Sequence, residues 1–228
     1  MKPHLRKSWV IPPEQSAEFV ARMEDILELY HLPYDRLRPL VCMDEQPVQL
    51  TKEKRQPLPA EPGKPLRVDY EYERNGTANV YMFTEPLGGR RYVSIRERKT
   101  SLDWAYEIKS LLEVHYPEAE RICLVCDNLN THTIGSLYKA FHPRDARQLA
   151  RRLDIHHTPK HGSWLNIAEI ELSALTKQCL NRRIPDLKTL KRETRAWQRD
   201  RNKRQKAVDW QFTTQNARIK LNRLYPQF

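Results

Sequence analysis

Apolar residues first recur at helical spacing. In residues 14–31 (EQSAEFVARMEDILELYH), Phe19, Val20, Met23, Ile26, Leu27 and Tyr30 fall on one face of a 3.6-residue repeat, which predicts an amphipathic helix. The pattern then shortens: LRPLVCMDEQPVQL, introduced by Pro39, reads as a short apolar strand ending at Asp44. Residues 51–65 (TKEKRQPLPAEPGKP) set four prolines among charges and read as an exposed loop. RVDYEYERNG, ANVYMFTEP and RRYVSIRER alternate and are rich in β-branched and aromatic residues. With turns at Asn75-Gly76 and Gly88-Gly89, they predict a meander of two or three antiparallel strands.

SLDWAYEIKSLLEVHY returns to helical spacing, with Ser101 as N-cap and Trp104, Ile108, Leu111, Leu112 and Tyr116 on one face. RICLVCD is apolar without alternation, as in a strand covered on both faces. A short helix, RDARQLARRL, leads to the strand-like DIHHTP. A long helix, SWLNIAEIELSALTKQCLN, follows, with Ser163 as N-cap and a seam of Leu165, Ala168, Leu172, Leu175 and Cys179. A basic helix fills roughly residues 186–207. An antiparallel meander feeding a parallel crossover between helices matches an α/β, ribonuclease H-like mixed sheet. It divides the chain into a lead segment and helix (1–35), a catalytic-size α/β domain (36–182) and a basic helical segment (183–228).

Composition changes this picture in two respects. With 39% apolar residues among 228, the chain can build a core. Scarce glycine (6) and frequent proline (16) suit a mixed fold with rigid loops, and no internal repeat is present. No apolar run is long enough to span a bilayer, and MKPHLRKSW lacks the apolar centre of a signal peptide, so a soluble, cytoplasmic protein is expected. The excess of 40 Lys+Arg over 29 Asp+Glu gives a net charge of +11, which favours nucleic acid as partner. That charge is densest late in the chain. Lys188, Lys191, Arg192, Arg195, Arg199, Arg201, Lys203 and Arg204 are the candidate DNA contacts. Cys123 and Cys126 form C-x-x-C, but residues three apart on a strand point to opposite faces, so the pair cannot share a metal. His156 and His157 likewise point apart and receive no role.

The acids carry the chemistry. If the strands ending at Asp44 and Asp127 are neighbours, their carboxylates emerge together and require a proton or a cation between them. Mg²⁺ suits such oxygen ligands, and a pair of ions can serve an in-line phosphoryl displacement. Glu169 and Glu171 on the long helix both flank its apolar seam, on opposite sides, so periodicity leaves the third acid open between them. The plain reading is that both are surface glutamates, with Glu171 paired across a turn to a basic neighbour.

Three blocks, VCMDEQ, VCDNLNTH and TPKHGSWLNIAEIE, together with the late NARIKLNRLYP, resemble bacterial insertion-sequence transposases of the Tc/mariner superfamily. The resemblance implies a DDE-type catalytic domain with Asp44, Asp127 and Glu169 as the metal-binding triad. Glu169 is favoured because the family's acid stands three residues after the asparagine that is Asn166 here. It implies Mg²⁺ or Mn²⁺, as two ions, and strand cleavage and transfer at a TA target. DNA is the implied partner, acted on by a homodimer in a bacterial cytoplasm, at the nucleoid when bound. Asn128 and His132 match D-N-x-x-x-H and are expected to orient Asp127 or touch DNA. His161, Ser163, Trp164 and Asn166 match the loop before the helix, with shaping of the turn and packing of Trp164 on the sheet as their expected roles.

The family also carries paired helix-turn-helix units ahead of this domain. MKPHLRKSWVIP resembles the junction after them, so a truncated transposase or half of a split reading frame is expected. The competing expectation is a catalytically silent relic that binds DNA or dimerises with intact transposase. A host nuclease or resolvase of the same fold lacks the HGSWLN block.

Overall fold

The structure is a computed structural model that describes residues 15–204 and 206–227. Its strands are β1 (Leu40–Glu53), β2 (Tyr72–Glu85), β3 (Arg90–Arg96), β4 (Ile122–Cys126) and β5 (Leu153–His157). They form one five-stranded sheet in the order β3-β2-β1-β4-β5. The first three are antiparallel; β4 joins β1 in parallel and β5 joins β4 in parallel. The helices are α1 (Ala17–Tyr30), α2 (Ser101–Ser110), α3 (Ile134–Ala140), α4 (Pro143–Arg151), α5 (Ile167–Leu175), α6 (Leu187–Lys203) and α7 (Thr214–Lys220). None of the described helices is long and apolar enough to cross a membrane. This mixed sheet flanked by helices is the expected ribonuclease H-like fold.

Strand alternation sorts the core into two layers. Val41, Met43, Tyr81, Phe83, Leu124 and Cys126 face α2, α3 and α4 around Trp104, Ile108, Leu137 and Leu149. Cys42, Val80, Met82 and Val125 face the other way, onto Met23 and Ile26 of α1 and Ala168, Leu172 and Leu175 of α5. Leu190 of α6, Ala217 of α7 and Leu224 join that second layer, so described parts of all three segments of the chain share one core. Cys123 and Cys126 do lie on opposite faces, as their spacing predicts.

Several local expectations are corrected. β1 does not stop at Asp44; it continues to Glu53 because β2 pairs with it from Cys42 to Glu53. Beyond Cys42 it has no β4 partner, an edge position that accommodates Pro47. Asn75-Gly76 is a bulge rather than a turn: opposite Leu50, β2 carries both residues, and Gly76 takes φ 85°. Thr100, not Ser101, caps α2, in a capping box with Asp103. Ser163–Leu165 forms a short 3₁₀ turn, and Asn166 caps α5. α3 and α7, short segments with weak periodicity, were not expected from the sequence.

The exposed edge of β3 is closed by side chains of α6. Val93 N–H donates to Gln198 Oε1 (2.8 Å), Arg91 N–H donates to Asn202 Oδ1 (2.9 Å), and Asn202 Nδ2 donates to Arg91 C=O (2.7 Å). A long edge strand is thereby denied to a second chain.

Candidate active site

Register places the first two acids level with each other. Cys42 pairs with Val125 in the parallel ladder, and Asp44 and Asp127 each stand two residues further on. Alternation turns Asp44 to the α1/α5 face, since its partner on β2 is Met82 of that layer. α5 delivers Glu169 to the same face. Its placement depends on Asn166, which is buried: Nδ2 donates to Met43 C=O (2.9 Å) and Oδ1 accepts from Ala168 N–H (3.1 Å). One side chain therefore caps α5 and ties it to β1 immediately before Asp44, with Glu169 in the first helical turn.

The three carboxylates share a field. Burial pushes the Asp44 carboxyl up to about 7, with the charges of Glu169, Asp127 and Glu45 adding to the effect against a backbone hydrogen bond from Glu45 N–H. Burial also raises Glu169, again with a contribution from Asp127 and a counter-effect from the Ser163 hydroxyl. Among the described residues, no lysine, arginine or histidine appears among the groups that shift either acid. Hard oxygen donors concentrated in a partly desolvated place, without a protein cation for two of them, fit a divalent ion such as Mg²⁺ or Mn²⁺.

Glu171 behaves differently, and the expectation of a surface residue is overturned. It is 3% exposed, and its carboxylate accepts from Arg91 Nη2 (3.0 Å) and from Arg201 Nε and Nη2 (both 3.1 Å). Burial alone raises its pKa, but the two arginines outweigh burial and hold it below the usual carboxylate range. Glu171 is thus a buried ion-pair acceptor that fastens α5 to β3 and α6.

His132 lies under the site and is 1% exposed. Its Nδ1 is 2.5 Å from Asp127 Oδ1 and its Nε2 is 3.2 Å from Glu45 Oε2, and its ring stacks on Trp104 at 5.8 Å between centroids. Burial works against its charge, yet Asp127, Cys126 and Glu45 drive its pKa up to about 12, so it sits as an imidazolium between two acids. Glu45, one residue past Asp44 and turned to the opposite face, is the partner that sequence reasoning missed. The signal available was the alternation itself, since a buried histidine in the second block needs an acid on that face. The ligand atoms of Glu45, Asp127 and His132 lie within 4.8 Å of one another; Asp44 and Glu169 are outside that group.

The remaining site residues are placed as follows. Asn128 is exposed and lines a small cleft with Arg22, Lys160 and His161. His161 takes the left-handed φ of 66°, and a Cβ on Gly162 would stand 2.5 Å from Pro159 Cγ, so a side chain at position 162 would crowd Pro159. Trp164 packs edge-to-face on Phe212 at 5.9 Å, against the C-terminal segment rather than squarely on the sheet. Of the basic residues, Lys188, Lys191, Arg192, Arg195 and Arg199 line a groove of about 1080 Å³ between α6, β3 and the end of α2. Arg201 turns instead to Glu171, Lys203 is exposed, and Arg204 lies 3.7 Å from Asp200.

A ribonuclease H-like sheet that sets two acids level on adjacent parallel strands, one within β1 and one just past the end of β4, defines a class of phosphodiester-processing enzymes. Residues 39–191 match the family described as DDE superfamily endonuclease, and the chain belongs to that family. No curated protein matches it. Among solved structures it is similar to the catalytic domain of Mos1 mariner transposase (TM-score 0.52, 11% identity, 85% of this chain and 92% of that one). It is also similar to the Mos1 transposase paired-end complex with the left transposon end (TM-score 0.54, 18% identity, 84% and 58%). A third likeness is to the mariner Mos1 paired-end complex with Mg (TM-score 0.53, 17% identity, 98% and 68%). At these identities the likeness is one of fold. The chain spans 58% of the transposase chain in the first of the two complexes.

Proposed function

We propose that the chain is the catalytic part of a Tc/mariner-like transposase of an insertion sequence, cutting and rejoining DNA strands. The observation that carries this reading is the level placement of Asp44 and Asp127 on parallel strands, with Glu169 raising the Asp44 pKa from the same face. Asp44, Asp127 and Glu169 would hold Mg²⁺ or Mn²⁺, as two ions. When bound, these supply positive charge to the phosphoryl oxygens and acidify the attacking hydroxyl.

The chain's own residues do the rest. Asn166 fixes Glu169 relative to β1, and His132 holds the Asp127 carboxylate from below while Glu45 balances the imidazolium. The two attacks, by water and then by the freed 3′-hydroxyl, need no covalent protein intermediate. Lys188, Lys191, Arg192, Arg195 and Arg199 would take the phosphate backbone along the α6 groove. Two of the similar Mos1 structures are paired-end complexes, one of them with the left transposon end, which supports DNA as the substrate here. The same reading has two copies of the chain acting together in a bacterial cytoplasm, at the nucleoid when bound to DNA.

Strand cleavage of labelled transposon-end DNA with Mg²⁺ or Mn²⁺ tests the reading. Asp127→Asn is expected to slow cleavage at least about a hundredfold, the loss of a few kcal/mol of charge stabilisation. Cleavage that survives this substitution contradicts the assignment.

A further inference from the structure

A second cluster of metal-capable side chains lies on the α1 side of the sheet, toward its β5 edge. Cys123 and Asp154 are direct partners in the β4–β5 ladder, and His156 stands two residues along β5 on the same face. Their ligand atoms, a thiol, a carboxylate and an imidazole nitrogen, all lie within 4.8 Å of one another. From α1, Asp25 Oδ2 reaches His156 Nδ1 at 2.7 Å.

The other ring nitrogen is the informative one. His156 Nε2 is buried and bonded to no oxygen; the Cys123 thiol lies beside it, and it faces Asp154 Oδ2 at 3.7 Å. That separation is too long for a hydrogen bond. It is close to the span of about 3.3 Å that two ligand bonds of about 2 Å subtend at a tetrahedral angle. The donor set is equally selective. A thiolate beside an imidazole and one carboxylate suits zinc or cobalt(II) and is poor for Mg²⁺, whose ligands are oxygen. Asp25 completes the carboxylate–histidine arrangement that orients a ligating imidazole through its second nitrogen. The Asp25 and Asp154 side chains are each 49% exposed, so an ion can enter from solvent.

We propose that Cys123, Asp154 and His156 form a zinc site separate from the Asp44–Asp127–Glu169 triad, with Asp25 orienting His156 and water in the fourth position. The ion would pin the edge strand β5 to β4, and through Asp25 would tie α1 to both. Cys123 thus acts without Cys126, its neighbour in C-x-x-C, which faces the other layer.

The experiment is titration of the chelator-stripped full chain with cobalt(II) near neutral pH. Thiolate-to-cobalt charge-transfer absorption should saturate at one equivalent and be displaced by zinc. Cys123→Ser is expected to abolish that absorption, and Asp154→Asn, at an exposed position, to weaken binding at least about tenfold. Asp25→Asn should weaken it by about tenfold, as outer-shell partners do. Asp127→Asn should leave the absorption unchanged, which separates this site from the triad. Circular dichroism confirms that each variant is folded. The proposal is overturned if the folded wild type gives no such absorption, or if Cys123→Ser leaves it intact.

Discussion

At the scale of single residues, Glu169 and Glu171 stand two positions apart on α5 and have opposite chemistry. Glu171 is enclosed by Arg91 and Arg201, whereas Glu169 is raised by burial and by the Asp127 charge, against the Ser163 hydroxyl alone. Glu171→Gln leaves the buried Arg91 guanidinium uncompensated and should cost about 3 kcal/mol in chemical denaturation, the usual effect of breaking a buried pair. Because the folded pKa of Glu171 is depressed, its contribution is complete above the ordinary glutamate value of about 4.3 and fades as pH falls through the lower folded value. The stability gap between wild type and Glu171→Gln should therefore close in acid; a constant gap between neutral pH and pH values below that range would contradict the account. Glu169→Gln should leave the melting temperature unchanged or raised, since it relieves repulsion on Asp44. In carboxyl NMR it should bring the Asp44 pKa down from about 7.

Sequence alone exposed the two aspartates, because an acid directly after an apolar run is conspicuous, even though β1 in fact continues past Asp44. It could not separate the glutamates. Both flank the same seam, and what distinguishes them is Arg91 and Arg201, which only the folded sheet brings to Glu171. His132 was legible as a companion of Asp127, but Glu45 was hidden by its position beside Asp44.

At the scale of elements, long periodic segments were legible and connections were not. α1, α2 and α5 follow their apolar stripes and α6 its run of basic residues, while Asn75-Gly76, a strong turn signal, was overruled by a β1–β2 ladder long enough to absorb it as a bulge. The placement of α5 rests on Asn166. Asn166→Ala should cost about 1–2 kcal/mol as a lost cap and should also lower cleavage by releasing Glu169 from β1. Asn166→Asp keeps the cap acceptor but cannot donate to Met43, so it should recover stability better than activity. Asn202→Leu leaves Arg91 N–H and C=O without their partner at the β3 edge. It should cost about 1–3 kcal/mol and promote self-association, read by denaturation and size-exclusion chromatography.

At the scale of the whole molecule, net charge announced nucleic acid, but only the fold sorts the basic residues. Five line the groove beside β3, while Arg201 is committed to the interior ion pair. Replacing Lys191 and Arg195 by Gln should weaken DNA binding and reduce the slope of log affinity against log salt by about 2, roughly one for each lost phosphate contact. Arg201→Gln should instead act through stability, with its salt slope unchanged.

The central claim is that Asp44, Asp127 and Glu169 form one metal-binding unit. Counting bound Mn²⁺ by electron paramagnetic resonance tests it most directly. Asp44→Asn, Asp127→Asn and Glu169→Gln should each weaken Mn²⁺ binding, while Glu171→Gln, measured where it is folded, should bind as wild type does. Loss of Mn²⁺ in Glu171→Gln with retention in Glu169→Gln would contradict the account.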